Sequence, residues 1–207
     1  MRKNAMKQDN TCITTLVIGN AYQRDFNQYC RARLEDYCAR HRYDLKILTS
    51  VIRDLPGKKL TWQKILLPEL AWWGNYGQIC MMDSDILVAH DAPPLPVVPA
   101  GHIGCVADKL PNQINSGVLV YAPGKAVADC FAETLLDQDP YWDQRALSRV
   151  MRQRNMETVI DRRFNRQFYL RCRSLPSSLF GRHWFYHACA GKSKMSFIHH
   201  WLKLSGR

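Results

Sequence analysis

Residues 78–89, Gln-Ile-Cys-Met-Met-Asp-Ser-Asp-Ile-Leu-Val-Ala, restrict the fold more than any other stretch of the chain. An apolar run breaks into Asp83-Ser84-Asp85, and the apolar character resumes at once with Ile86-Leu87-Val88. Such a run, between the turn Gly74-Asn75-Tyr76-Gly77 and two carboxylates, fits a strand buried on both faces. Two ionised carboxylates at the end of that strand repel each other. Where solvation is poor they stay charged only beside a cation or hydrogen-bond donors. Aspartates two residues apart can both reach one hard cation where strand gives way to loop. Asp83 and Asp85 are therefore candidate metal ligands.

The surrounding pattern alternates strand and helix. Residues 12–18 are rich in Thr, Val and Ile and end at Gly19, as a strand should. Phe26, Cys30, Leu34, Tyr37, Cys38 and His41 then fall at helical spacing, with Arg31, Arg33, Glu35 and Arg40 mostly on the other face. Residues 43–48 close a strand–helix–strand unit, which implies a parallel sheet with right-handed crossovers. Residues 60–73 predict a second helix, kinked or cut short at Pro68. Pro93, Pro94, Pro96 and Pro99 punctuate a loop too short to separate two domains. A strand over 103–107 follows. A turn at Asn115-Ser116-Gly117 then leads into a strand over 118–121. Residues 124–136 form a helix with Val127, Phe131 and Leu135 inward, and Tyr141-Trp142-Asp143-Gln144 opens another. The expected architecture is one α/β domain whose mostly parallel sheet is flanked by helices, its ligand site at the carboxyl ends of strands.

Composition narrows the classes further. At 207 residues and 46% hydrophobic content, the chain can bury a sizeable core and is not disordered. No stretch approaches the roughly 18 uninterrupted apolar residues of a membrane span, and the polar first ten residues are expected to be a flexible tail rather than a signal peptide. The eight cysteines form no CxxC pair, so free, buried thiols in a reducing compartment are expected. A net charge of +11 asks for an anionic partner: nucleotide phosphates, an acidic glycan, a lipid headgroup surface or nucleic acid. Nine arginines between positions 145 and 173 admit the last of these as a rival function, although a solvated face accounts for most such runs.

Taken in order, these pieces resemble retaining glycosyltransferases of the GT-A fold, the glycogenin-like and bacterial galactosyltransferase-like family 8 above all. Four blocks carry the resemblance: Trp62-Gln63-Lys64; the segment Met-Asp-Ser-Asp-Ile-Leu-Val over 82–88; Asn115-Ser116-Gly117 with Asp143-Gln144 after it; and His187-Ala-Cys-Ala-Gly191-Lys-Ser-Lys194. They span most of the chain. The resemblance implies a Rossmann-like nucleotide-diphospho-sugar transferase, with 11–122 holding nucleotide and metal and 123–207 supplying the acceptor side and a metal and phosphate loop. Asp83, Asp85 and His187 would hold Mn²⁺ or Mg²⁺, and a UDP-sugar would be the donor. Gly191 and Lys194 would hold phosphate, with Ser84 and Lys64 further donor contacts. Tyr22 would stack on the base. Asn115, Asp143 and Gln144 would face the sugar. Since an amide is a poor covalent nucleophile, retention by front-face departure and attack is implied.

The same resemblance implies a glycan, lipid-linked or protein acceptor, anionic on the strength of the charge. The unpaired cysteines point to a cytoplasmic location and the charge to peripheral membrane contact; nucleic acid is not expected. A catalytically degenerate sugar-nucleotide-binding domain is the alternative. The chain departs from the family between His187 and Gly191, where three residues replace two, and Met195-Ser196 stands in place of Pro-Trp.

Overall fold

A computed structural model describes residues 10–108, 110, 112–138, 143–167, 183–189, 192–204 and 206. A six-stranded sheet runs through the middle in the order β2 (Asp44–Leu48), β1 (Thr11–Leu16), β3 (Gln78–Asp83), β6 (Ile114–Tyr121), β5 (Ile103–Ala107), β7 (Glu157–Val159). β6 is antiparallel to both its neighbours while the other pairs are parallel, so one strand opposes five. That reversal matters. It brings the amino end of β6, with Asn115, Ser116 and Gly117, alongside the carboxyl ends of β1 and β3.

Strand alternation sorts the core into two layers. Cys12, Ile79, Met81, Leu119 and Tyr121 face one side. There they meet α3 (Lys125–Leu135), α4 (Asp143–Gln153) and the 3-10 helix Leu60–Glu69. Ile13, Cys80, Met82, Val118 and Val120 face the other side. There they meet α1 (Asn20–Tyr29), α2 (Arg31–His41) and α5 (Lys192–Leu204). A small second sheet, β4 (Ile86–Val88), β9 (Phe185–His187), β8 (Arg166–Gln167), lies in this second layer. The proline-rich segment packs there too, through Ala92, Leu95 and Val98.

Three local expectations change. The amphipathic stretch after β1 is two helices meeting at Cys30, and the second ends at Arg42 in the left-handed region, φ 57°. Residues 60–69 form a 3-10 helix rather than an α-helix. Pro68 removes a backbone donor and disfavours helical geometry at Leu67. Six consecutive residues from Trp62 to Leu67 are also buried, which a helix with one solvated face does not provide. Finally, β6 begins at Ile114 instead of Val118. Its register with β5 slips after Cys105–Leu119, so Asn115 lies opposite Val106 and the Ser116 region bulges from that ladder.

The seven described cysteines are free, and all but Cys189 are buried; Cys172 lies outside the described residues. Burial pushes the Cys12, Cys38 and Cys105 thiols up to about 12 and Cys130 to about 11.

Candidate functional site

The two aspartates stand where β3 gives way to β4. Two different sheets fix the geometry around them. The β3–β6 register, continued past Met82–Val118, sets Gly117 beside Asp83. In the second sheet Ile86 pairs with His187, and the Ala188 amide donates to the Asp85 carbonyl at 2.9 Å. A residue more than a hundred positions downstream is thus hydrogen-bonded into place against the aspartates. His187 Nε2 lies 3.2 Å from Asp85 Oδ1 and 3.8 Å from Asp83 Oδ2. Among the described residues these three form the one cluster whose ligand atoms all lie within 4.8 Å of one another. His199 and His200, the other conspicuous pair of the tail, sit in ring contact with each other, and His199 also with Tyr29, apart from this cluster.

The imidazole is held from behind. Its Nδ1 is 3.0 Å from Asn165 Oδ1, an acceptor, so Nδ1 carries the proton and Nε2 is the nitrogen turned toward the carboxylates. The Asn165 amide in turn donates to Asn115 Oδ1, which also accepts from the Gly117 backbone at 2.9 Å. Gly117 leaves room for the ring: a Cβ there would lie 2.6 Å from His187 Cε1 and 2.7 Å from Nδ1. Burial works against charge on His187, but the carboxylate of Asp85, with the hydrogen bond to it and a contact from Cys189, outweighs burial and raises its pKa well above the ordinary range.

Lys64 forms the other anchor. It is fully buried on the 3-10 helix and donates to Asp83 Oδ1 at 2.8 Å, with Asp143 Oδ2 at 3.4 Å. Burial alone would depress its pKa; the two carboxylates raise it instead. Because Lys64 takes Oδ1, Asp83 Oδ2 remains on the side of His187 and Asp85. Ser116 joins the network, its hydroxyl 3.2 Å from Asp143 Oδ2 and its backbone N–H donating to Gln144 Oε1 at 3.1 Å. The Gln144 amide then donates to Asp108 Oδ2 at 2.8 Å, an oxygen that also accepts from Gln167.

A cleft of about 620 Å³ opens onto this arrangement. Asp83, Ser84, Asp85, Lys64, Asn115, His187 and Tyr22 line it, as do Leu60, Gln167 and Cys189. Tyr22, in the first turn of α1, is 58% exposed at its mouth. Asp143 and Gln144 lie one layer behind the wall, reaching it through Ser116 and Lys64. Gly191 lies outside the described residues, and Lys194 is placed only to the extent that its backbone belongs to the first turn of α5. Three residues that no motif marks also stand in the site: Asp108, Asn165 and Gln167. The one signal in the chain for Asp108 is a carboxylate at the end of a buried strand; Asn165 and Gln167 carry none, being polar residues among arginines.

The arginine run is largely spent on neighbours. Of the seven described arginines from 145 to 166, Arg149, Arg152, Arg154 and Arg163 are ion-paired to Asp137, Glu157, Glu133 and Asp161.

No protein-family model matches the sequence, and no curated protein matches it. Solved structures do. A glycosyltransferase involved in glycosylation of the major capsid of PBCV-1 superposes with a TM-score of 0.66 at 15% identity, covering 93% of this chain and 99% of that one. The galactosyltransferase LgtC, solved in complex with donor and acceptor sugar analogs, gives 0.57 at 13% identity over 92% of this chain and 95% of its own. GlyE of Streptococcus pneumoniae TIGR4 gives 0.50 at 13% identity, with 75% of this chain covering 46% of that protein. The shared property is the fold: a GT-A-like α/β architecture, as the sequence blocks imply.

Proposed function

We propose that this chain is a metal-dependent glycosyltransferase that moves a sugar from a nucleoside diphosphate, UDP first among them, to a hydroxyl group of a glycan, lipid-linked or protein acceptor. One observation carries the proposal. Asp83, Asp85 and an oriented His187 converge at the carboxyl edge of the sheet, in a fold shared with solved glycosyltransferases. Two carboxylates and one neutral imidazole nitrogen suit Mn²⁺ somewhat better than Mg²⁺. Bound there, the ion would supply Lewis-acid stabilisation of the charge that develops on the departing diphosphate.

The protein's own groups divide the remaining work. Lys64 bridges Asp83 and Asp143, offsetting part of their charge and holding both in place. Tyr22, exposed at the cleft mouth, stacks on the base. Ser84 contacts the donor from between the aspartates. Gly191 and Lys194 are assigned to the diphosphate, the first for close backbone approach and the second as a point cation. Asn115, Asp143 and Gln144 shape the sugar side. The Gln144 amide, already engaged at both ends by Ser116 and Asp108, is a rigid dipole rather than a nucleophile. This favours retention through front-face departure and attack, in the manner of family 8. We assign residues 1–207 to one catalytic domain, acting in the cytoplasm with peripheral contact to a membrane.

The test is release of nucleoside diphosphate from a panel of sugar nucleotides with Mn²⁺. One donor should be turned over, and Asp83→Ala or Asp85→Ala should lower the rate by at least about a hundredfold. Metal-independent turnover, or full activity in both variants, overturns the proposal. Stabilisation by UDP with Mn²⁺ but no turnover of any donor would identify a binding domain instead.

A further inference from the structure

A second cleft, about 640 Å³, lies along the outer side of α4. Its wall carries Arg145, Arg149 and Arg152 together with Asp137, and Asn112 and Gln113 from the β5–β6 loop. The arginines are four and three residues apart, so they form one stripe on the helix. Asp137 on the wall and Glu157 beside it compensate two of the three guanidiniums, so the positive charge of the wall is centred on Arg145. Arg149 is held by Asp137 at 2.6 Å and Arg152 by Glu157 at 3.4 Å, while Arg145 is exposed and has no ion pair among the described residues. Guanidinium forks are the side chains that grip sulfate, phosphate and carboxylate in two-point fashion, and side-chain amides bind hydroxyls.

Position ties this cleft to the site. Arg145 follows Gln144, whose amide bridges Ser116 and Asp108 behind the donor cleft. From Arg145 the stripe runs roughly 10 Å along the helix, a length that one or two sugar units span. Its lining holds no aromatic ring among the described residues. That described lining offers a base of single-stranded nucleic acid no stacking partner.

We propose that this cleft is an acceptor subsite that takes a sugar-borne anionic group (sulfate, phosphate or carboxylate), with the Asn112 and Gln113 amides meeting neighbouring hydroxyls. The proposal rests on the transferase assignment, since it makes the anionic glycan the acceptor. The net charge of +11 accords with such a partner.

The experiment titrates the full-length protein with a fluorescently labelled sulfated tetrasaccharide, its desulfated twin and a short oligouridylate, following anisotropy. The sulfated sugar should bind at least about tenfold more tightly than its twin. Arg145→Ala should weaken it about tenfold, and Arg145→Ala with Arg149→Ala further still. Asp83→Ala should leave this binding unchanged, and UDP–Mn²⁺ binding should be the same in Arg145→Ala as in the parent. Equal binding of the twins, or variants that bind like the parent, overturns the subsite. Tighter binding of oligouridylate that Arg145→Ala abolishes overturns it in favour of nucleic acid. Donor turnover with no discrimination between the twins removes the subsite alone. Discrimination between the twins with no donor turned over removes the transferase assignment and leaves an anion-binding cleft.

Discussion

At the scale of single residues, the candidate metal centre depends on neighbours that are not ligands. Gly117 has no side chain because the His187 ring occupies the place a Cβ would take, and Asn115 Oδ1 would be 2.9 Å away as well. Gly117→Ala should push the imidazole off Asn165 and lower Mn²⁺ affinity by about 10–100-fold, the usual cost of losing an orienting partner. Calorimetric titration in the presence of UDP measures this, and an unchanged affinity would show that the ring tolerates displacement. Protons compete at the same place. Because the His187 pKa is raised in the fold, its imidazolium–Asp85 contact contributes stability that is fully present below the ordinary histidine range and lost as pH rises through the raised value. A cation requires the neutral ring, so Mn²⁺ affinity should climb with pH across that window and binding should release a proton. Titrations in two buffers of different ionisation enthalpy will give different apparent heats if this is right, and identical heats if it is not.

At the scale of elements, β9 is three residues long yet positions the histidine. Its backbone is laddered to β4 on one side and β8 on the other. Its register is secured by Phe185, fully buried with its ring edge-on to Tyr37 and Phe164 at 5.4 and 5.3 Å. Phe185→Ala should cost about 3–5 kcal/mol of stability by urea unfolding. It should also weaken Mn²⁺ binding, although residue 185 touches no ligand atom, because the strand that delivers His187 loses its anchor. A variant that loses stability but binds Mn²⁺ like the parent would show that β4 and β8 hold the register unaided. The short 3-10 helix has a comparable task. Its buried turn directs Lys64 inward between Asp83 and Asp143, where an amphipathic α-helix would direct a lysine to water.

At the scale of the molecule, the two apolar clusters are the two faces of the same strands. Cys12 and Ile13 are adjacent in β1 but belong to opposite clusters, as do Ile79 and Cys80 in β3. Neither layer can lose its strands without exposing the other. Urea unfolding followed by far-UV circular dichroism and by tryptophan emission should therefore give coincident curves. Trp62 and Trp73 report on one layer and Trp184 and Trp201 on the other. Separated midpoints would mean that the clusters fold as independent units.

How much of this is legible in the chain differs by interaction range. Local pattern marks β1, β3, β5 and α3 to within a residue or two, because strand alternation and helical spacing are properties of neighbours. The aspartate pair stands out because two charges after an apolar run are costly without compensation. Ile114 as the start of β6, the break at Cys30 and the 3-10 geometry around Lys64 are not legible. They depend on which faces become buried, and that is settled only when sheets and helices pack. The same holds within the site. His187 is marked by its block of sequence, but its tautomer, its Asn165 support and its distance from Asp85 come from pairing β9 with β4 across about a hundred residues. The sequence by itself determined the α/β layering and the strand that ends in Asp83 and Asp85, since periodicity and charge are written residue by residue. Only the tertiary structure decided that these carboxylates share Lys64 on one side and an oriented imidazole on the other, because contacts between distant segments exist only once backbone pairing and burial have fixed their register.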